Sequence, residues 1–362
     1  YKREMKMNFN DKEKIIQLTS LWKGERLPDG RPKVEDKYLD ALYGMTLEEV
    51  WKPIFVLGYE HQFVGGGENP LNTLHDDGRK LVGRAVTCTY CPTRPDLHDV
   101  QFARGAEDRL QGNYNQWVID HLYERDVVVC DMYDKIYKGT FLGGNLTTAL
   151  HNRTKTGGAV IWGGIRDVEQ MKKVPDVQVY YRGIDPTPIR EFVMKDWNDI
   201  TNFGGAVCLP GDIVFGAGGG VLFIPAHLVA DVVEGAAKTH VKDDFGFEMI
   251  CQGKFTTAQI DKNTWTEEML DMWDTMYKAD GVGLAAPQVG ILRRYCIVDV
   301  GDGIIELINP VIDKESGSQE GQEGCLSIPG RYEDVVRPMK VKIHAQDRNG
   351  KPFKLTAEGF KA

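Results

Sequence analysis

The sequence predicts an α/β protein in two parts: a complete α/β domain, then a mostly β segment led by one helix. Three observations carry this. Between residues 81 and 262, short β-rich runs alternate with helix-like stretches. After residue 263 the pattern changes to one amphipathic helix followed by strands. At 362 residues, the chain is also longer than one average domain.

Residues 1–80 read as a mixed, turn-rich N-terminal extension packing on the core. Within it TLEEVWKPIF predicts a short helix, with Thr46 as the cap and Glu48 and Glu49 in the first turn. From Leu81 to residue 262 the runs LVGRAVTCTY, DVVVCDMY, GAVIWGG, VQVYYRG, GAVCL and DIVFGAGGGVLFIP read as strands. NLTTALHNRTK and AHLVADVVEGAAKTH read as helices between or after them. RPDLHDV reads as a loop directly after a strand.

In TWTEEMLDMWDTMYKADG, Met269, Leu270, Trp273, Met276 and Tyr277 fall on one helical face. Thr264 or Thr266 can cap its start and Gly281 can end it. GVGLAAPQVGI, RRYCIVDV, IIELINPVI and MKVKIHAQD then read as strand-like, so residues 263–362 form the third segment.

Composition excludes several classes. A net charge of −9 without a dense basic stripe argues against nucleic acid as a partner. No apolar run approaches the roughly 20 residues that span a bilayer. The charged start, YKREMKMNFNDKEK, lacks the apolar core of a secretory signal. The seven cysteines are odd in number and scattered, which suits reduced thiols in the cytoplasm. Cys88 and Cys91 form a CxxC, but on a strand-like run, where residues three apart point to opposite faces.

Two stretches of the first domain carry the most chemistry. Gly143-Gly144-Asn145-Leu146 is a glycine pair opening a helix, a ready anion site. Gly163-Gly164-Ile165-Arg166-Asp167 ends the strand AVIW with an Arg-Asp pair, where α/β proteins tend to bind ligands. Arg166 can clamp a carboxylate, and Asp167 can hold a hard divalent cation. The plainer alternative is turn glycines beside a surface ion pair.

These motifs, with LVGRAVTC, DVVVCD, VYYRGIDPTPI and PGDIVFGAGGGVLFIP, resemble the family of the regulator of ribonuclease activity A. That family includes class II 4-hydroxy-4-methyl-2-oxoglutarate aldolases, and the resemblance runs from about residue 15 to 262. It implies the RraA-like swivelling β/β/α domain and a homotrimer or dimer of trimers. It also implies a metal-dependent carbon–carbon lyase that gives pyruvate enolate from a small 2-keto acid, by retro-aldol cleavage or decarboxylation. By the same resemblance Arg166 would hold the substrate carboxylate. Asp167 would position Mg²⁺ or Mn²⁺, and the amides of Gly143, Gly144 and Leu146 would stabilise developing charge. The family places an acidic residue twenty-one positions before the Arg-Asp pair; here that position is Asn145, which cannot accept a proton. Asp96, Asp99 or His98 in RPDLHDV could substitute. The loss also fits a non-catalytic regulatory, protein-binding module.

Residues from about 265 to 362 resemble a truncated peptide deformylase, through GVGLAAPQ, ELINP, EGCLS and AQDRNGKP. The resemblance makes Gly283 and Gln288 part of a family motif, with Gln288 and the Leu326 N–H as oxyanion donors. Cys325 would be one of three metal ligands. The other two ligands come from HExxH, and none of the eight histidines here is followed by Glu. The chain stops at LTAEGFKA, about where that helix would begin, so no complete zinc or iron site and no deformylase activity are expected. The apparent splice lies inside a helix, whereas domain boundaries favour exposed linkers, which reads as a chimera.

Overall fold

The computed structural model describes residues 9–362 except 68, 252, 254–255, 259–266, 302, 326–327 and 349. The side chains of 242, 245, 248–249, 267–270, 325, 328–329 and 360 are likewise outside the description. The chain divides into two compact units, Tyr1–Thr239 and His240–Ala362.

The first unit opens with helices α1 (Lys12–Leu18), α2 (Asp36–Leu42) and α3 (Leu47–Val56). Asp11 caps α1 by accepting from the Glu13 and Lys14 N–H groups. The predicted cap of α3 is present as a full capping box: Thr46 Oγ1 accepts from the Glu49 N–H, and Glu49 reaches back to the Thr46 N–H. Short strands β1 (Phe63–Gly65) and β2 (Asn72–Thr73) follow, and both join the main sheet.

Then come β3 (Leu81–Pro92), α4 (Pro95–Glu107), α5 (Tyr114–Asp120), β4 (Asp126–Leu142), α6 (Gly144–Thr154), β5 (Gly158–Ile165), α7 (Val168–Met171) and β6 (Gln178–Ile184). The unit closes with β7 (Phe192–Trp197), the hairpins β8 (Thr201–Phe203)–β9 (Ala206–Cys208) and β10 (Ile213–Ala217)–β11 (Gly220–Ile224), and the start of α8 (Val229–Cys251).

The stretch RPDLHDV is helical, not a loop. Pro95 occupies the first helical position, where its missing N–H costs nothing, and Arg94 before it is extended.

The main sheet runs β1-β11-β10-β3-β4-β5-β6-β2, with β7 also on β3. Strands β3 to β6 pair in parallel, and the flanking strands pair antiparallel. Period-two alternation sorts the core. On β4, Val128 and Cys130 pack with Trp117, Ile119 and Leu150 from α5 and α6. Val127 and Val129 face the other way, onto Phe203, Val214 and Phe223. A third cluster packs Leu39, Leu42, Val50 and Ile54 of α2 and α3 against Ile213, Leu222 and Val232.

One ion pair ties the N-terminal segment into this core. Arg31, fully buried, donates Nη1 to Asp126 Oδ1 at 2.9 Å and Nη2 to Asp126 Oδ2 at 2.7 Å. Its Nε also reaches Asp29 Oδ2 at 2.7 Å. Every charged atom is paired, which such burial requires. Asp212, also buried, accepts from the N–H groups of Leu209 and Ala226, and burial pushes its carboxyl up to about 7.

In the second unit, α9 (Glu267–Lys278) precedes a five-stranded antiparallel sheet ordered β12-β13-β14-β17-β18. Its strands are β12 (Gly283–Ala285), β13 (Tyr295–Val298), β14 (Ile305–Ser316), β17 (Lys340–Gln346) and β18 (Pro352–Glu358). The hairpin β15 (Gln319–Cys325)–β16 (Ile328–Arg337) forms a separate two-stranded sheet. Met272, Trp273 and Met276 of α9 pack on Leu284, Tyr295 and Ile297. Met272 thus joins the predicted stripe, while Met269 and Leu270 lie outside the described side chains. Of the predicted helix signals, Thr264 and Thr266 lie outside the described residues. At the other end Asp280, not a glycine, takes the left-handed conformation, and the Gly281 N–H closes onto the Met276 carbonyl.

No described helix is long and apolar enough to cross a membrane.

Two predictions follow from the buried charges. Arg31→Ala should destabilise the first unit by about 3–5 kcal/mol, because Asp126 is left buried without its partner. Arg31→Met with Asp126→Leu should recover part of that loss in urea unfolding. Asp212 has a folded pKa above its ordinary value, so its protonation favours the folded state. Its contribution is full below pH ~4 and falls by about 1.4 kcal/mol per pH unit up to its folded value. Asp212→Asn should flatten that part of the stability–pH curve.

Candidate functional site

Parallel pairing of β4 and β5 places their C-terminal ends side by side. Leu142 stands opposite Ile165, and the Arg166 N–H donates to the Leu142 carbonyl at 2.9 Å. The chain leaves β4 through Gly143, the N-cap of α6, and leaves β5 through Arg166 and Asp167, the N-cap of α7. Two segments about twenty residues apart therefore meet at one sheet edge.

A cavity of about 290 Å³ opens there. Its lining includes Gly143, Gly144, Asn145 and Leu146 of the glycine-opened helix together with Arg166 and Asp167 of the Arg-Asp pair. Asp167 Oδ2 accepts from the Gly144 N–H at 3.3 Å and lies 3.7 Å from Arg166 Nε. Both side chains are about two-fifths exposed, so each can meet a ligand from the cavity. Asp167 holds its place with a left-handed backbone, φ 58°.

Gly143 is needed for contact rather than for conformation. A Cβ there would lie 2.6 Å from Asp167 Oδ2 and 3.0 Å from Arg166 Nε. Its carbonyl accepts from both the N–H and the hydroxyl of Thr147, which starts α6 without a capping side chain at Gly143. Asn145, the second residue of α6, is exposed at the cavity.

Sequence reasoning missed Thr148, Gln170, Asn115, Thr140 and Ile189, which also line the cavity. Helical spacing could have found two of them. Thr148 lies four residues after Gly144, and Gln170 three after Asp167. The others come from distant segments; Asn115 of α5 reaches the site by donating Nδ2 to the Phe141 carbonyl at 2.9 Å.

The substitutes proposed for the acidic position do not reach the cavity lining. Asp96 pairs with Arg94 at 2.7 Å, and that contact draws its carboxyl below the usual range. His98 Nδ1 sits 3.2 Å from the Tyr114 hydroxyl and its ring lies 4.5 Å from Phe102, a structural setting. Asp99 lies on the same helix, outside the lining.

Cys88 and Cys91 are both free thiols, Cys88 buried in the core and Cys91 partly exposed at 3.8 Å from the Val193 carbonyl. Among the described residues no group of three His, Cys, Asp or Glu could hold a metal ion. In the second unit, Gln288 accepts from the Ala285 N–H at 2.8 Å, in a turn just after Gly283 begins β12. Cys325 ends β15, but its side chain lies outside the description, as does all of Leu326. His344 stands on β17 with Nδ1 2.6 Å from Asp313.

Residues 58–223 match the family described as Aldolase/RraA, and residues 249–362 match the polypeptide deformylase family. The second match begins at 249, ahead of the 265 read from motifs, inside α8 rather than inside α9. Curated relatives of the second part include peptide deformylases of Caldicellulosiruptor bescii, 55% identical over 92 residues, and of Alkaliphilus metalliredigens, 62% identical over 85. Those stretches are 25% and 24% of this chain, and 55% and 58% of the relatives. The chain thus spans little more than half the length of the curated relatives it matches. A solved structure from Pseudomonas syringae, of an uncharacterized protein, overlays 66% of this chain and 99% of its own at TM-score 0.51 and 19% identity, a likeness of fold. The chain joins an Aldolase/RraA-like α/β part to a mostly β part that resembles peptide deformylase.

Proposed function

We propose that the first unit is a divalent-metal-dependent carbon–carbon lyase of small 2-keto acids, working by retro-aldol cleavage or decarboxylation toward pyruvate enolate. One observation carries this reading: the Gly143–Leu146 turn and the Arg166–Asp167 pair line one cavity at the C-terminal ends of adjacent parallel strands.

The donor chemistry fits Mg²⁺ or Mn²⁺. Asp167 offers the one carboxylate in the lining, amides and hydroxyls offer neutral oxygens, and neither thiol nor imidazole is present there. Asp167 would hold the ion, with water completing its shell. When bound, the ion supplies Lewis-acid polarisation of the keto oxygen.

Arg166 supplies a planar fork for the substrate carboxylate. The first N–H groups of α6 carry partial positive charge and face the position where negative charge develops. The Asn145 amide can hold a substrate or water oxygen in place but cannot shuttle a proton. Phe141, Leu146 and Ile189 give the cavity an apolar side that limits water around the reacting carbon. A homotrimer or dimer of trimers is the assembly we propose with this reading.

Asn145 favours a second reading, a non-catalytic regulatory or protein-binding module, because it stands where the resemblance implies an acid. A further alternative is deformylase activity of the second unit, whose family motifs stand without HExxH among the 362 residues.

The deciding assay adds Mg²⁺ and follows pyruvate release from oxaloacetate. Arg166→Ala should lower kcat/KM about 100-fold or more; wild type no faster than this variant would support the binding-module reading instead. Gly143→Ala should weaken calorimetric binding of oxalate, a two-carbon mimic of the enolate, by about tenfold or ~1.4 kcal/mol, because its methyl displaces Asp167 and Arg166.

A further inference from the structure

Away from the cavity, one row of side chains across the main sheet carries an unmet polar demand. β3 pairs with β4 in parallel and with β7 antiparallel. Thr89 stands opposite Asp131 on one side and opposite Asp196 on the other. Residues paired in register project to the same face, so the hydroxyl sits between two carboxylates. None of the three lines the cavity. The row lies where the ladder gives way. Thr89–Asp131 is the last rung between β3 and β4, a register shift follows Thr89 against β7, and another follows Asp131 against β5. Ligands gather at such strand ends in α/β sheets, and bulges re-aim side chains toward them.

Thr89 is 6% exposed, yet its Oγ1 has no hydrogen-bond partner among the described residues. A buried hydroxyl left this way calls for a water or an ion. Asp131 is partly buried, and among the described residues it takes part in no ion pair. Its Oδ1 accepts from the Tyr133 N–H at 2.9 Å, which orients the carboxylate, and burial pushes its pKa up. Asp196 is about one-third exposed, with Oδ2 3.8 Å from Lys195 Nζ. The Lys195 side chain is largely exposed, and an ion pair of that kind contributes little. Two carboxylates and an orphaned hydroxyl thus share one place, with one solvent-facing ammonium beside them.

We infer that Asp131, Thr89 and Asp196 form a site for one hard divalent cation of the Mg²⁺ class, separate from the cavity. Two strand spacings put the acids about 10 Å apart, a span that two aspartates can close around an ion with oxygen ligands at about 2.1 Å. The Thr89 hydroxyl supplies a third oxygen, and the exposed side of Asp196 admits the waters that Mg²⁺ retains. The row offers oxygen alone, neither thiol nor imidazole, which selects against zinc and copper. Bound there, the ion ties β4 to β3 and β7 at the point where β4 leaves the ladder. The site stands whether or not the cavity is a lyase.

The test uses the full chain with Asp167→Asn, which removes the cation ligand proposed at the cavity, and counts bound Mn²⁺ by electron paramagnetic resonance. One Mn²⁺ per chain should bind, and Mg²⁺ should displace it. Adding Asp131→Asn or Asp196→Asn should weaken binding about tenfold or more, and Thr89→Val about threefold. Lys195→Ala should tighten it, because a competing charge leaves. Tb³⁺ gives a second readout that needs neither aspartate variant. Trp162 pairs with Asp131 across β4 and β5, so indole-sensitised Tb³⁺ emission should fall in Trp162→Phe while Mn²⁺ affinity is kept. No Mn²⁺ on the Asp167→Asn chain, or binding unmoved by both Asp131→Asn and Asp196→Asn, would overturn the inference. If those variants fold poorly, unchanged Tb³⁺ emission in Trp162→Phe would overturn it alone. None of these outcomes bears on pyruvate release, so the lyase reading stands or falls separately.

Discussion

The backbone hydrogen bond from the Arg166 N–H to the Leu142 carbonyl is the constraint on which the site depends. It closes the parallel pairing of β4 and β5 at its last rung, and both chains turn away immediately after it. One turn becomes the start of α6, the other the start of α7. The geometry leaves no room for a side chain at the first turn, and it forces a left-handed residue at the second. Gly143 and Asp167 answer these two demands, and only then can the guanidinium, the carboxylate and the helix N–H groups share one small volume. The chemistry is a property of the crossing of two strand ends, not of either motif alone.

That origin explains what the sequence could reveal. Strands β3 and β5 and the first halves of β4 and β6 are buried on both faces and read as near-continuous apolar runs, so they were legible. So were the caps of α3 and the Arg-Asp pair, whose signals are local. RPDLHDV is helical although its apolar pattern is weak; its one local mark is a proline at the first helical position, which is a start signal. Asn115 and Ile189 enter the cavity through tertiary packing, for which one sequence has no local mark. Asn145 was legible only as a departure, and its place at the cavity gives that departure a chemical meaning.

The N-terminal segment is likewise more than an extension. Its strands β1 and β2 form both outer edges of the main sheet, and its Arg31 fills the buried charge site beneath β3 and β4. Asp126 opens β4, the same strand whose far end carries the cavity. A charge pair at one end of the strand and an anion clamp at the other bracket a stretch of valines that needs neither.

Between those ends β4 leaves the ladder. Its register with β5 shifts three times from Asp131 to Leu142, and Tyr133, Asp134 and Lys138 have positive φ. The excursion is held not by the sheet but by the segment after β6: Thr187 Oγ1 accepts from the Lys138 N–H at 2.7 Å, and the Lys138 carbonyl accepts from Arg190 at 3.0 Å. Thr140 and Ile189, one from each side of this clasp, meet the cavity. The rim is thus a module with its own fastening. A change in its length would reshape what the cavity admits at Thr140 and Ile189, while the final rung between Leu142 and Ile165 is fixed separately by the sheet.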